Sequence, residues 1–182
     1  MTLPTSYIIT GALLTLIGAA LASGVSGVTA GLRAFPRSWL ASAVFFGGGA
    51  AWFVMEIFQL GESDLAGFPR NWLVGIFVLT ALLAFRFLSD LLAVRGLAVL
   101  MLLSARVLLD SGYAQLPRSL VLAGTAYILV VLGIWWGASP HVLRDWLVWA
   151  LEKRPRALIA GALVGAVGVA NLVSAFFANP VA

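Results

Sequence analysis

Long runs without a charged side chain constrain this sequence more than any other feature. The first 32 residues contain no Asp, Glu, Lys or Arg, and five further apolar runs approach the roughly 20 residues that a helix needs to cross a bilayer core. Lipid offers no partner to backbone N–H and C=O groups, so such runs form helices. The sequence therefore predicts an all-α fold, a polytopic transmembrane helix bundle in which residues 1–182 form a single domain. The six predicted spans cover residues 3–22, 38–58, 72–89, 91–109, 119–138 and 157–178.

The composition leaves little surface for water. Hydrophobic residues make up 62% of the chain and charged residues 10%, whereas about a quarter of the residues in a soluble domain are charged. Most of the outer surface must therefore face something other than water.

The fourth predicted span leaves an alternative open. Only ten uncharged residues separate Arg95 from Arg106, so a spanning helix must hold both arginines near its ends, where their side chains can reach the headgroups. If the segment is instead re-entrant or interfacial, the chain has five spans and its termini lie on opposite sides of the membrane.

Basic residues are unevenly distributed between the two sides that six spans define. Eight fall in connections 1–2, 3–4 and 5–6, and three fall in connections 2–3 and 4–5. Since basic residues in short loops are retained in the cytoplasm, this distribution predicts a multi-pass protein of the bacterial inner membrane with both termini in the periplasm. The eight are Arg33, Arg37, Arg86, Arg95, Arg144, Lys153, Arg154 and Arg156, and the three are Arg70, Arg106 and Arg118.

A Pro-Arg pair stands at the entry to four spans, directly before Ser38, Asn71, Ser119 and Ala157. Proline suits a first helical turn, where its missing N–H would have no partner, so four independent helix starts explain the pattern. Duplication of a three-helix unit in inverted orientation explains it as well, and an alignment of helices 1–2 with helices 5–6 is a further alternative.

Residues 140–152 are predicted to form a short amphipathic helix in the cytoplasmic interface. Ser139 and Pro140 provide a helix start, and apolar residues then recur at helical spacing with charged residues towards the other side. Tryptophans in this helix and near the span ends are predicted to anchor the bundle at the membrane interfaces. The predicted anchors are Trp39, Trp72, Trp135, Trp136, Trp146 and Trp149.

Few side chains could support catalysis or hold a cofactor. The chain has no cysteine and one histidine, His141, so paired-histidine haem ligation and a multi-histidine metal site cannot form within it. Its one lysine, Lys153, lies in a loop, and no carboxylate pair is placed for acid–base chemistry. The sequence therefore predicts no enzyme activity, no catalytic residue, no metal and no cofactor. It also lacks a basic domain of the kind that binds nucleic acid.

One interhelical ion pair is predicted near the outer ends of the second and fourth spans. Glu56 and Arg106 lie at similar depth, and each is costly at the edge of a bilayer without a partner. Asp110 follows Arg106 by four residues, so the group could be a triad. The pair is interpreted either as a clamp between helices or as the polar mouth of a solute path.

Glycines at four-residue spacing predict close approach of helix backbones. A run of three glycines also interrupts the second span, at a cost of about 1 kcal/mol each relative to alanine, and marks either a close contact or a flexible point. The predicted packing glycines are Gly47, Gly48, Gly49, Gly133, Gly137, Gly161 and Gly165.

Two functions are compatible with the sequence. The lack of ligands, of charges at mid-membrane depth and of large loops favours a non-catalytic structural or accessory subunit of a larger membrane complex. Its partners would be the lipid bilayer and other membrane subunits, or further copies of itself. The Pro-Arg repeat, the three glycines and the Glu56–Arg106 pair favour instead a small channel or carrier for a neutral solute.

Overall fold

The computed structural model describes residues 2–65, 67–88 and 90–178, and these form helices joined by short connections, with no β-strand. One helix, Trp39–Gln59, includes a five-residue π-helical segment, Ser42–Phe46. The helices are α1 (Leu3–Ser23), α2 (Ser26–Ala34), α3 (Trp39–Gln59), α4 (Arg70–Phe87), α5 (Leu92–Ser111), α6 (Leu120–Ala138), α7 (Pro140–Glu152) and α8 (Arg154–Ala178).

Six of these helices, α1, α3, α4, α5, α6 and α8, are long and apolar enough to cross a bilayer. The predicted all-α bundle with six spans is therefore confirmed, and the chain is a multi-pass membrane protein. α5 is one continuous helix of 20 residues, as six spans require. Observed and predicted boundaries agree to within about one helical turn, and residue 89, the predicted end of the third span, lies outside the described residues.

Local sequence explains several helix ends. Ser38 precedes α3, and its Oγ accepts a hydrogen bond from the Ala41 N–H at 3.2 Å, which satisfies one of the free amides of the first turn. Pro140 occupies the first turn of α7. α1 ends at Gly24, whose φ of 66° is a left-handed conformation that glycine adopts without strain.

Two antiparallel helix pairs form the centre of the bundle. α1 packs along α8, and α5 packs along α6. α3 lies outside this group and packs against α5 through its π-helical segment. α4 is the outermost span, and its main contact is with α3.

The bundle has two chemically different ends. The eight basic residues of connections 1–2, 3–4 and 5–6 lie at the end of the bundle where α1 finishes, which we call the basic end. The other three lie at the end where α1 starts, which we call the opposite end.

A cluster of buried apolar side chains fills each end of the bundle. The cluster at the opposite end contains Leu3, Tyr7, Ala105, Leu108, Leu122, Ala126, Ala175 and Ala178, and the cluster at the basic end contains Leu21, Val94, Leu143, Leu147, Leu151 and Ala157.

α7 matches the predicted helix 140–152 and lies across the basic end. Leu143, Leu147 and Leu151 are buried in the basic-end cluster, so the apolar face of α7 packs on the bundle itself. Arg33 at the end of α2 donates a hydrogen bond from Nη2 to the Leu151 carbonyl at 2.5 Å. Trp149, one of the predicted membrane anchors, is half exposed.

The packing does not repeat between the two halves of the chain. In an inverted repeat, α1, α3 and α4 would correspond to α5, α6 and α8. α5 packs along the whole of α6, whereas α1 and α3 make no comparable contact within the described residues. The packing therefore favours four independent helix starts as the explanation of the Pro-Arg pairs.

Candidate functional site

Glu56 and Arg106 come together at the opposite end, between α3 and α5. The Glu56 Oε2 atom accepts a hydrogen bond from Arg106 Nη1 at 2.5 Å, and Glu56 Oε1 accepts one from Trp52 Nε1 at 3.0 Å. Asp110 extends the group, with its Oδ2 3.8 Å from Arg106 Nε. Because both oxygens of Glu56 have a donor, its carboxylate is held in one orientation.

The two partners of this ion pair differ in burial. The Glu56 side chain is 18% exposed and the Arg106 side chain 59%. Solvent and lipid headgroups therefore screen the guanidinium, and the pair stabilises less than a fully buried one. Both residues lie within about 8 Å of the end of their helix at 1.5 Å per residue, which places the charges near the end of the spans and away from their centre.

A polar cavity of about 270 Å³ opens beside this ion pair. Its walls come from the last turns of α3 and α5, so it lies at the end of the bundle. The lining residues are Glu56, Gln59, Arg106, Val107, Asp110 and Ser111.

The role of Trp52 in this site was not predicted. Trp52 precedes Glu56 by four residues, a spacing that places two side chains on the same face of a helix. The four-residue spacing is visible in the sequence, but the sequence pattern was interpreted only in terms of tryptophans as membrane anchors.

The predicted packing glycines fall into two groups. A Cβ added at Gly161 would lie 2.5 Å from the Gly18 carbonyl oxygen, and one added at Gly18 would lie 2.6 Å from the Gly165 backbone N. A Cβ added at Gly165 itself would meet no described atom within 4 Å. In the other group, a Cβ added at Gly47 or Gly48 would meet no atom of the described residues within 4 Å. These two glycines therefore make no such close contact with the described residues, and their role in packing stays a prediction. Gly49, Gly133 and Gly137 all face α5. A Cβ added at Gly49 would lie 3.3 Å from Val99 Cγ1, one at Gly133 would lie 3.1 Å from Leu102 Cγ, and one at Gly137 would lie 3.5 Å from Ala98 Cβ.

Three glycines that the sequence did not single out line the interface of α1 with α8. A Cβ at Gly11 would lie 2.8 Å from the Gly168 carbonyl oxygen, and one at Gly18 would lie 2.6 Å from that of Gly161. Gly11 and Gly18 are seven residues apart, as are Gly161 and Gly168. Seven residues are nearly two turns, so each pair shares a helix face. This seven-residue spacing could have identified the interface.

Gly96 makes the closest helix contact in which α3 takes part. A Cβ on Gly96 would overlap the backbone of Phe45 and Phe46, at the end of the π-helical segment of α3. π-Helical segments often occur at functional sites. The distortion of α3 therefore directly precedes the three glycines and coincides with a contact to α5.

The predicted tryptophan anchors differ in exposure. Trp39 and Trp72 are 77% and 68% exposed and lie at the starts of α3 and α4. Trp135 and Trp149 are about half exposed at the basic end. Trp136 and Trp146, by contrast, pack partly buried against the basic-end cluster.

Two buried polar side chains join helices of the core and were not predicted. Asn171 of α8 is fully buried, and its Nδ2 donates a hydrogen bond to Thr125 Oγ1 of α6 at 2.9 Å. Tyr7 of α1 is also fully buried; its hydroxyl donates to the Arg118 carbonyl at 2.8 Å and accepts from the Leu122 N–H at 3.2 Å. Such hydrogen bonds connect helices in lipid.

Within the part of the chain that the structure describes, no three His, Asp or Glu side chains lie close enough to hold a metal ion. Comparison of the chain with protein-family models, curated proteins and solved structures finds no match. The fold and composition thus define a class, the all-α multi-pass membrane proteins.

Proposed function

We propose that this chain is a non-catalytic structural or accessory subunit of a larger membrane assembly. The observation that carries the proposal is the poor packing of α4. Within the described chain, Ala84 is the one residue of α4 that is buried, whereas nine residues of α5 are buried. Because spans associate in lipid through close packing and hydrogen bonds, α4 is the span best suited to pack against another subunit or a second copy of the chain.

The surface of α4 supports this assignment. A shallow groove of about 420 Å³ runs along its outward side, lined by Asn71, Trp72, Gly75, Ile76 and Leu79. The glycine allows a neighbouring helix to approach closely, and the asparagine amide can donate and accept interhelical hydrogen bonds.

The proposal includes a location and an orientation. A bacterial inner membrane and periplasmic termini are supported by the basic residues, eight at the basic end and three at the opposite end. Positive charges in short loops are retained in the cytoplasm, so the basic end and α7 face the cytoplasm.

A second candidate is a small channel or carrier for a neutral solute. The observation that favours it is the 270 Å³ cavity beside Glu56 and Arg106. Gly47 and Gly48 would then mark a flexible surface of α3 and not a contact with a subunit.

Site-directed photocrosslinking combined with mild detergent purification tests the first proposal. A photoreactive residue at Leu79 of α4, which is 58% exposed, should crosslink to one partner protein in stoichiometric yield. The matched control at Leu163 of α8, which is 66% exposed, should crosslink to no protein. A chain that purifies as a homo-oligomer without partners, with neither position crosslinking to another protein, would contradict the accessory role and favour the channel.

A further inference from the structure

Two arginines flank the point where α3, α4 and α5 meet at the basic end. The Phe46 ring of α3 packs edge-on against the Phe85 ring of α4, with centroids 5.3 Å apart. The backbone of Phe46 lies against Gly96 of α5. Arg86 directly follows Phe85, and Arg95 directly precedes Gly96, so both arginines border the same junction.

A third arginine, Arg37, lies in the turn before α3, which packs near this junction. The Phe35 ring packs against the Phe45 ring, with centroids 5.1 Å apart and an interplanar angle of 82°, which folds the turn back over the start of α3. Pro36 is fully buried, and the turn Phe35–Arg37 packs against α5. We call Arg37, Arg86 and Arg95 the arginine cluster.

Within the described residues, the arginine cluster lacks the carboxylate and carbonyl partners that four other arginines at this end have, although the Arg86 guanidinium lies 5.9 Å from the centroid of the Phe87 ring. Within the described residues, none of its three guanidinium groups lies within 4.0 Å of a carboxylate oxygen. Asp90, in the connection between α4 and α5, is the nearest acidic residue in sequence to two of them and pairs with neither. By contrast, Arg144 pairs with Asp145, Arg156 pairs with Glu152, Arg33 donates to the Leu151 carbonyl and Arg154 donates to the Ala22 carbonyl.

The surface next to the cluster is strongly apolar and exposed. Trp39 follows Arg37 by two residues and is 77% exposed, and Phe87 follows Arg86 directly and is 74% exposed. Positive charge and exposed apolar surface thus lie next to each other at the ends of spanning helices. A ligand that matches both must carry an anionic group next to hydrocarbon.

We infer that the arginine cluster is a binding site for an anionic phospholipid, with the phosphate on the three guanidinium groups and the acyl chains along α3 and α4. Guanidinium groups form paired hydrogen bonds with phosphate oxygens. Each basic residue near an anionic membrane surface contributes about 1 kcal/mol, or roughly fivefold in affinity. This site is independent of the proposed accessory role, because it needs no second protein.

Thermal melting of the purified chain in detergent, titrated with phosphatidylglycerol or with phosphatidylcholine of the same acyl chains, tests the inference. A ligand that binds only the folded state raises the melting temperature, and the stabilisation grows with the logarithm of 1 + [ligand]/Kd. The wild-type chain should be stabilised more by phosphatidylglycerol than by phosphatidylcholine. The double variant R37Q/R86Q should need roughly thirtyfold more phosphatidylglycerol for the same shift, at about fivefold for each arginine.

The matched control is R144Q/K153Q, which removes two positive charges from the same end but leaves the cluster intact. It should lose less affinity for phosphatidylglycerol than R37Q/R86Q does, because only the diffuse attraction of charges near the membrane surface is reduced. Both residues of the test variant are exposed and make no side-chain hydrogen bond to a described residue, so the variant should fold.

Equal loss of phosphatidylglycerol affinity in both variants would overturn the inference in favour of diffuse attraction. So would stabilisation by inorganic phosphate alone that equals that by phosphatidylglycerol, because the site would then recognise a free anion. No difference between the two lipids for the wild-type chain would also overturn it.

Discussion

Glu56 owes its fixed position to two neighbours on different helices. Trp52 holds one carboxylate oxygen from within α3, and Arg106 holds the other from α5. The carboxylate therefore links the outer pair α3–α4 to the core of the bundle. Removal of Arg106 would leave a largely buried charge with only the indole N–H as its partner.

A double-mutant cycle on Glu56 and Arg106 should show coupling. Glu56→Gln alone is expected to lower the free energy of unfolding by about 1 kcal/mol, less than for a buried pair because Arg106 is largely exposed. The double variant Glu56→Gln, Arg106→Gln should recover part of that loss, since no unpaired charge is left. The cycle is measured on unfolding in detergent. Strictly additive losses would mean that the pair contributes no coupling.

Gly96 and Gly48 provide a matched comparison of a buried and an open glycine. Gly96→Ala places a methyl group into the backbone of α3 and should destabilise by about 1–3 kcal/mol. Gly48→Ala meets open space and should be neutral, or stabilising by up to about 1 kcal/mol through helix propensity. Unfolding in detergent measures both variants. If Gly96→Ala is tolerated as well as Gly48→Ala, the close contact of α3 with α5 does not exist.

At the scale of elements, α7 closes the basic end of the bundle. Its leucines complete the core cluster there, and Arg156 lies over the Trp149 ring, 4.8 Å from its centroid. α7 is thus fixed by packing on its inner side and by a cation–π contact near its end. It should follow the bundle as a rigid part and not detach into the membrane surface.

A single cysteine should establish on which side α7 lies. The chain contains no native cysteine, so Arg144→Cys can be labelled without background. It should react with a membrane-permeant thiol reagent and poorly with an impermeant reagent added to the periplasm. Glu62→Cys, in the connection between α3 and α4, is the control and should react with both. Equal labelling of Arg144→Cys by both reagents would place α7 outside.

At the scale of the whole molecule, an even number of spans puts the start of α1 and the end of α8 at the opposite end. A reporter that fluoresces only in the cytoplasm, fused after Ala182, should remain dark. The same reporter fused to a chain that ends after Glu152 should fluoresce, because that position lies at the basic end. Bright cells with the full-length fusion would reverse the proposed orientation.

The number, type and approximate limits of the spans followed from the sequence alone. This is because the constraint is local: a charge-free run of about 20 residues in lipid must be helical whatever its neighbours do. Pro140 at the start of α7 and Ser38 at the start of α3 likewise act within one turn. The proximity of Glu56 to Arg106 could also be proposed, because few charges of opposite sign share their depth.

Which helices pack together was decided only in three dimensions. Nothing local pairs α1 with α8, since the contact depends on Gly11 and Gly18 meeting Gly161 and Gly168 across almost the whole chain. The same reason applies to Gly47 and Gly48: a glycine permits close approach, but only the position of a second helix decides whether close approach occurs. Gly96 gave no sequence pattern at all, because its partner is the backbone of a distorted turn in another helix.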